Sequence, residues 1–307
     1  MESSPDVTRR AEGARADAEA ARRPYPEVVT ELRALDRAVG LAPGDHVSWA
    51  YDDLDGLRAA CVDTFTEGAA RGEQLIYIGD RNHGDLHDDL AGLEGRDALL
   101  ETGRLRIHSI AELYRATGAF DPQTQVETFR AEAHRAVREG YTGLRVVGDV
   151  TDIVTNPGLH AAFVDYELAL ESMYAETPVL GICAIDRGRV GDRWREVSCL
   201  HRIQHVAGGQ PTFALTFADG VVRLFGELDA GSVDELGRLL DAVLTTSTGG
   251  LEVSLRGLDF IDVAATRVLA GAHQTLGCGG RQMVLRDVKR SAVLPLQAFN
   301  LLGGEGQ

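Results

Sequence analysis

Three kinds of side chain in this sequence could do chemistry: carboxylates that close apolar runs, histidines at helical spacing, and cysteines. Asp80, Asp149 and Asp186 end the runs Gln74 to Asp80, Leu144 to Asp149 and Pro178 to Asp186. If those runs are parallel strands, the acids stand at carboxyl ends, where ligands collect in open α/β sheets. Asp80 and Asp149 could there hold Mg²⁺ beside a nucleotide. His83 and His87 are four residues apart, as are His201 and His205, and Cys199 precedes the second pair. On a helix that spacing offers two ligands to one metal; it more often belongs to solvated polar residues or to histidines with other partners, and nothing fixes either segment as a helix. Of the two groups, Cys199/His201/His205 is the better metal candidate. The acidic pairs Asp52-Asp53 and Asp88-Asp89 read as solvated loop charges.

Other chemistries lack their parts. A phosphate loop needs close-approach glycines and a lysine. The only lysine, Lys289, follows no such loop, and Gly68-x3-Gly72 runs into Glu73, which repels phosphate. GxGxxG and GxSxG are both missing. The expectation is no catalytic residue, no bound cofactor and no metal.

The elements that position these residues fall into two sets. In the first, helical patterns (Leu54 to Arg71, Gln123 to Glu139, Leu159 to Tyr174) alternate with short apolar runs that include Arg104 to Ile110. That alternation predicts a parallel sheet covered on both faces. Val28, Leu32, Leu35 and Val39 follow helical spacing and predict a short helix ahead of it. In the second set, Thr212 to Phe217 and Val221 to Phe225 flank an Asp-Gly turn, a hairpin signal. Helix Ser232 to Thr245, strand Leu251 to Leu255, helix Ala264 to Leu276, strand Gln282 to Leu285 and helix Ser291 to Leu301 follow. Gly226-Glu-Leu-Asp-Ala230 and Gly257-Leu-Asp-Phe-Ile-Asp-Val-Ala264 then lie at one end of the sheet. They place Asp229 and Asp262 where carboxylates cap helix N-termini.

The divisions expected are an N-terminal arm over 1–27, a first domain over 28–206, a Gly-Gly-Pro linker over 207–211, a second domain over 212–303 and a tail over 304–307. The 307 residues carry a net charge of −16. From residue 206 onward there are 11 acids and 8 bases, or −3, which leaves −13 for the first domain and what precedes it. Such acidity argues against nucleic acid and against anionic membranes as partners. Met1 to Arg23 is charged and has no apolar stretch of a signal peptide. The four cysteines lack CxxC spacing, as in reduced cytosolic thiols, so a cytoplasmic protein is expected.

The GELDA start, the GLDFID turn and Leu276-Gly-Cys-Gly-Gly-Arg-Gln-Met-Val-Leu285 together resemble a STAS domain over about 211–303. The resemblance implies a non-catalytic module that binds an anti-sigma factor, often a histidine-kinase-like ATPase, through Glu227, Asp229, Asp259, Asp262, Val263 and Ala264. In that family a phosphorylatable serine follows the turn's last Asp. Here Val263 takes its place, and Thr266 lies about a turn further on.

Asp45-His-Val-Ser-Trp-Ala-Tyr-Asp-Asp53, the Gly72 to Asp80 and Leu144 to Asp149 runs, Tyr166-Glu167 and Val179 to Asp186 with Cys183 resemble a MEDS domain over about 44–195. This implies a RecA-like α/β fold without a phosphate loop, and the sensing of a small molecule. His46, Ser48, Asp80, Asp149, Glu167 and Cys183 are the expected ligand contacts, with His46 near strand ends. The family often has Cys where Ser48 stands. Read alone, His46 also suits a capping histidine, and Cys183 a small buried residue. The leading expectation is a non-enzymatic regulator. A nucleotide-binding or enzymatic RecA-like protein and a signalling scaffold are the alternatives.

Overall fold

The computed structural model describes residues 31–110, 120–207, 209 and 212–302. The expected arm and tail, and linker positions Gly208, Gln210 and Pro211, lie outside the described residues.

Seven parallel strands form the first sheet: β1 (Arg33–Ala34), β2 (His46–Tyr51), β3 (Gln74–Gly79), β4 (Leu105–Ser109), β5 (Leu144–Asp149), β6 (Val179–Asp186) and β7 (Ile203–Val206). Their order is β1-β7-β2-β6-β5-β3-β4. Against one face lie α1 (Leu54–Arg71), α2 (His83–Asp89) and α3 (Arg96–Glu101). Against the other lie α4 (Pro122–Arg138), α5 (Thr151–Thr155) and α6 (His160–Glu176), followed by the short α7 (Arg187–Val190) and α8 (Arg193–Ser198). This is the doubly covered parallel sheet expected from strands that read as continuous apolar runs.

The helix expected over Val28 to Val39 is absent from residue 31 on. Arg33 and Ala34 instead pair with Ile203 and Gln204, Arg33 N donating to Arg202 O at 2.8 Å and Leu35 N to Gln204 O at 2.9 Å. Strand β7 offers an unpaired edge there, and its backbone groups capture the passing chain. Leu35 still packs against the core, as its spacing required.

The second sheet has order β11-β10-β9-β8. It is built from β8 (Phe213–Ala218), β9 (Val221–Leu228), β10 (Leu251–Ile261) and β11 (Met283–Arg286), with α9 (Val233–Thr246), α10 (Val263–Cys278) and α11 (Arg290–Ala298). The β8–β9 hairpin turns through Asp219 and Gly220, both at positive φ, as a two-residue hairpin turn requires. Strand β10 runs six residues beyond Leu255, because two register shifts let it stay paired with β9 as far as Ile261↔Leu228.

The two sheets share apolar packing. Val164 and Leu168 of α6, with Cys199 and Leu200, belong to the same buried cluster as Phe213, Leu215 and Leu236. Leu215 N donates to Cys199 O at 2.7 Å. No helix among the described residues is long and apolar enough to cross a membrane.

Candidate functional site

Alternation along β2 sends Val47, Trp49 and Tyr51 to one face, and His46 and Ser48 to the other. The register sets His46 opposite Gly181 and Ser48 opposite Cys183 of β6. Helix α6 crosses that face and presents Glu167, and the turn after α8 brings in His201. His46 Nε2 and His201 Nε2 lie 3.0 Å apart, and each is 3.3 Å from Glu167 Oε2. Cys183 Sγ is 3.5 Å from His46 Nε2 and 3.4 Å from Glu167 Oε1. All four residues are buried.

The surroundings fix this arrangement. His201 Nδ1 lies 2.9 Å from Val197 O, so it carries the ring proton and leaves Nε2 with a lone pair. His46 stacks on Tyr174 at 4.4 Å between ring centres. Burial and the neighbouring His201 lower the His46 pKa, which favours the neutral ring. Burial alone would raise Glu167, but His201 and His46 pull it well below the ordinary carboxylate range. Burial, then Glu167, pushes the Cys183 thiol well up.

Beside this group, between the sheet and α4 and α6, lies a cavity of about 80 Å³; one water needs about 10–15 Å³ of such space. Its walls include Phe120, Phe129, Phe163 and Tyr166, and its polar lining includes Gln125, Asp149, Tyr174 and Cys183. Gln125 Nε2 is buried and has no hydrogen-bond partner among the described residues.

The six expected ligand contacts do not gather in one place. His46 stands at one end of its strand, as expected, and there meets Glu167 and Cys183. Ser48 shares their face, but its hydroxyl is 2.8 Å from Ser198 Oγ. Asp149 and Asp80 do stand at carboxyl ends. Asp149 accepts from Tyr51 Oη at 2.9 Å and from the Thr151 N–H and hydroxyl at 3.1 and 2.6 Å, and burial raises its pKa. Asp80 pairs with Arg189 at 2.7 Å.

The metal groups suggested by spacing do not form either. Cys199 lies in the shared core. His205 stacks on Trp49 at 3.7 Å and bonds Leu35 O, while His201 turns the other way. His83 and His87 do share helix α2, where His83 is exposed. Sequence reasoning tied His201 to the wrong partners; its true neighbours are as far as 155 positions away, and only the sheet register brings them together.

In the second sheet, Asp262 N-caps α10, its Oδ1 accepting from Ala265 N at 2.8 Å. Asp229 is not a helix cap as expected. The N-cap of α9 is Ser232, and Asp229 Oδ1 closes a local turn by accepting from Gly231 N at 2.8 Å. The two loops do share one end, since Asp262 N donates to Leu228 O. Glu227, Asp229 and Asp259 are exposed there, with Ala264 half-buried. Phe260 and Val263 are 47% and 54% exposed, unusual for large apolar side chains. Thr266 is fully buried, its hydroxyl donating to Asp262 O at 2.6 Å, so it offers no accessible switch.

The family model described as "MEthanogen/methylotroph, DcmR Sensory domain" (MEDS) matches residues 45–202, more than half of the chain. The chain belongs to the MEDS family. A second model, "Mlab, STAS domain", matches residues 212–303. No curated protein matches the chain. The MEDS match contains His46, Glu167, Cys183 and His201 and ends one residue after the last of them. The STAS match begins at Thr212, one residue before β8, and takes in the exposed Phe260–Val263 turn. A MEDS sensory domain thus precedes a STAS domain, and the STAS domain suggests an anti-sigma-factor antagonist-like regulatory role.

Proposed function

We propose that the chain is a non-enzymatic regulator whose STAS domain binds an anti-sigma factor of the histidine-kinase-like ATPase class, and whose MEDS domain reads a small molecule. The observation that carries the partner half is the turn from Phe260 to Val263. It displays two large apolar side chains beside the exposed acids Glu227, Asp229 and Asp259. Apolar anchors within a polar rim are the usual make-up of a binding patch. With Val263 in place of serine and Thr266 buried, this surface has no phosphate-operated switch at the family's position. The cavity beside Cys183 supports the sensing half: it is small, apolar, and lined by one unpartnered amide donor at Gln125.

The nucleotide or enzyme reading lacks comparable support. Asp149 already accepts three hydrogen bonds. The turn leaving β2 carries Asp52 and Asp53, and Asp53 caps α1 with its own carboxylate. Lys289 pairs with Asp259 in the other domain.

The test is a binding titration of the full chain against the histidine-kinase-like ATPase recovered with it from source cells. Val263→Glu puts a charge among the apolar anchors and weakens binding by about thirtyfold, the loss of one strong interface contact. Asp229→Arg weakens it too. Unchanged affinity in both variants, or no ATPase of this class recovered by the folded chain, overturns the partner half.

A further inference from the structure

We propose that His46, Glu167, Cys183 and His201 form a tetrahedral Zn²⁺ centre that fastens the joint between the MEDS and STAS domains. The four donor atoms lie within 4.8 Å of one another, and this is the only such group among the described residues. Most of their separations are close to those of a coordination shell. Zinc bonds of about 2.0–2.1 Å to nitrogen and oxygen and about 2.3 Å to sulfur put neighbouring ligand atoms roughly 3.3–3.6 Å apart in a tetrahedron. Five of the six pairs are 3.0 to 3.5 Å apart, Cys183 meeting Glu167 at Oε1 and the two histidines meeting it at Oε2.

Hydrogen bonding satisfies only part of the group: Cys183 Sγ donates to Glu167 Oε1 at 3.4 Å, and one of the two facing Nε2 atoms can donate to the other at 3.0 Å. Two imidazole Nε2 atoms face each other, and His201 already spends its ring proton on Val197 O. Glu167 Oε2 is buried, has both Nε2 atoms at 3.3 Å, and has no well-formed hydrogen bond among the described residues. A cation at the centre gives each of these lone pairs a partner. Charge balances as well: on binding, Cys183 releases its proton to solvent, and a thiolate plus a carboxylate neutralise the ion in a dry site. Imidazole, thiolate and carboxylate together suit zinc rather than magnesium or calcium. With four protein ligands the shell is closed, which marks a structural centre.

Two of the four ligands stand on the segments that carry the STAS domain. Glu167 is flanked on α6 by Val164 and Leu168, which pack into the STAS core. His201 follows Cys199 and Leu200, which do the same. Gln204 Nε2 bridges His201 O and Phe213 O, at 2.7 and 3.0 Å. Filling the centre therefore pins the seat of β8. This inference is independent of which partner the STAS domain binds.

The experiment measures metal in the full chain purified without chelators, then strips it and titrates Zn²⁺ and Co²⁺. The expected result is about one zinc per chain, uptake of one Co²⁺ with the intense visible bands of a tetrahedral site, and a thiolate-to-cobalt charge-transfer band in the near ultraviolet. Cys183→Ser abolishes the charge-transfer band, while the double variant His83→Ala/His87→Ala leaves it intact. Zinc raises the thermal midpoint of the stripped chain. If Cys183→Ser does not fold, the cobalt spectrum of the unaltered chain decides alone. A stripped chain that takes up neither ion stoichiometrically, a cobalt spectrum without the thiolate band, or uptake lost with His83 and His87 overturns the proposal.

Discussion

Gly181 has no room for a methyl group, because a Cβ there would overlap the Tyr174 hydroxyl and ring. That absence lets Tyr174 lie flat on the sheet and stack on His46, the residue paired with Gly181 across β2 and β6. Gly181→Ala should push Tyr174 aside and cost about 1–3 kcal/mol, the usual range for overpacking a filled core. Urea denaturation measures it, and a loss below about 0.5 kcal/mol would show that the ring has somewhere else to go. At this scale the sequence was readable only where chemistry is local. The Asp262 cap follows from the residues next to it. His46 and His201 could not be matched from sequence, since their meeting depends on strand register and on a turn 155 positions downstream.

Helix α6 is used on two sides. Phe163, Tyr166 and Leu170 face the first sheet, and Val164 and Leu168 face the second domain. A polar clasp borders that contact: Glu196 of α8 bonds His160 of α6 at 3.0 Å and Arg238 of α9 at 2.6 Å. Burial alone would raise the Glu196 pKa, but the hydrogen bonds from His160 and Arg238 lower it. A carboxylate with a depressed folded pKa adds stability that is present above its unfolded value, about 4.3, and lost as pH falls through the folded one. Glu196→Gln should therefore destabilise the chain by about 1–3 kcal/mol near pH 7, with the gap closing below about pH 4. Chemical denaturation at both pH values tests this; a gap that does not change with pH would mean the clasp acts by shape alone. Elements were legible where apolar runs are long, as in β3, β5, β6 and the 18-residue α1. Strand β2 gave no clear strand signal of its own, because His46 and Ser48 are polar residues turned inward. Strands β1 and β7 are two and four residues long, and their pairing comes from an open sheet edge rather than from local pattern.

At the scale of the whole molecule, the two domains are joined by a core as well as by a connecting segment. Both tryptophans, Trp49 and Trp194, lie in the MEDS domain, so their fluorescence follows that half while far-ultraviolet circular dichroism follows both. The shared cluster predicts coincident urea transitions from the two probes, as cooperative unfolding requires. Two separated midpoints would show that each half unfolds independently of the other. The Gly-Gly-Pro break is where the sequence suggests a boundary, but nothing in the sequence announces the packing of Val164 and Leu168 into the second domain, because they look like ordinary positions on an apolar helix face. Their placement also bears on how the chain is made. A ribosome finishes the MEDS domain first, at about 5–20 residues per second, and the STAS residues from Thr212 onward then need about 5–20 s more. For the first part of that interval the Val164–Leu168 face of α6 stays bare, until β8 and α9, the STAS elements that pack on it, have been made.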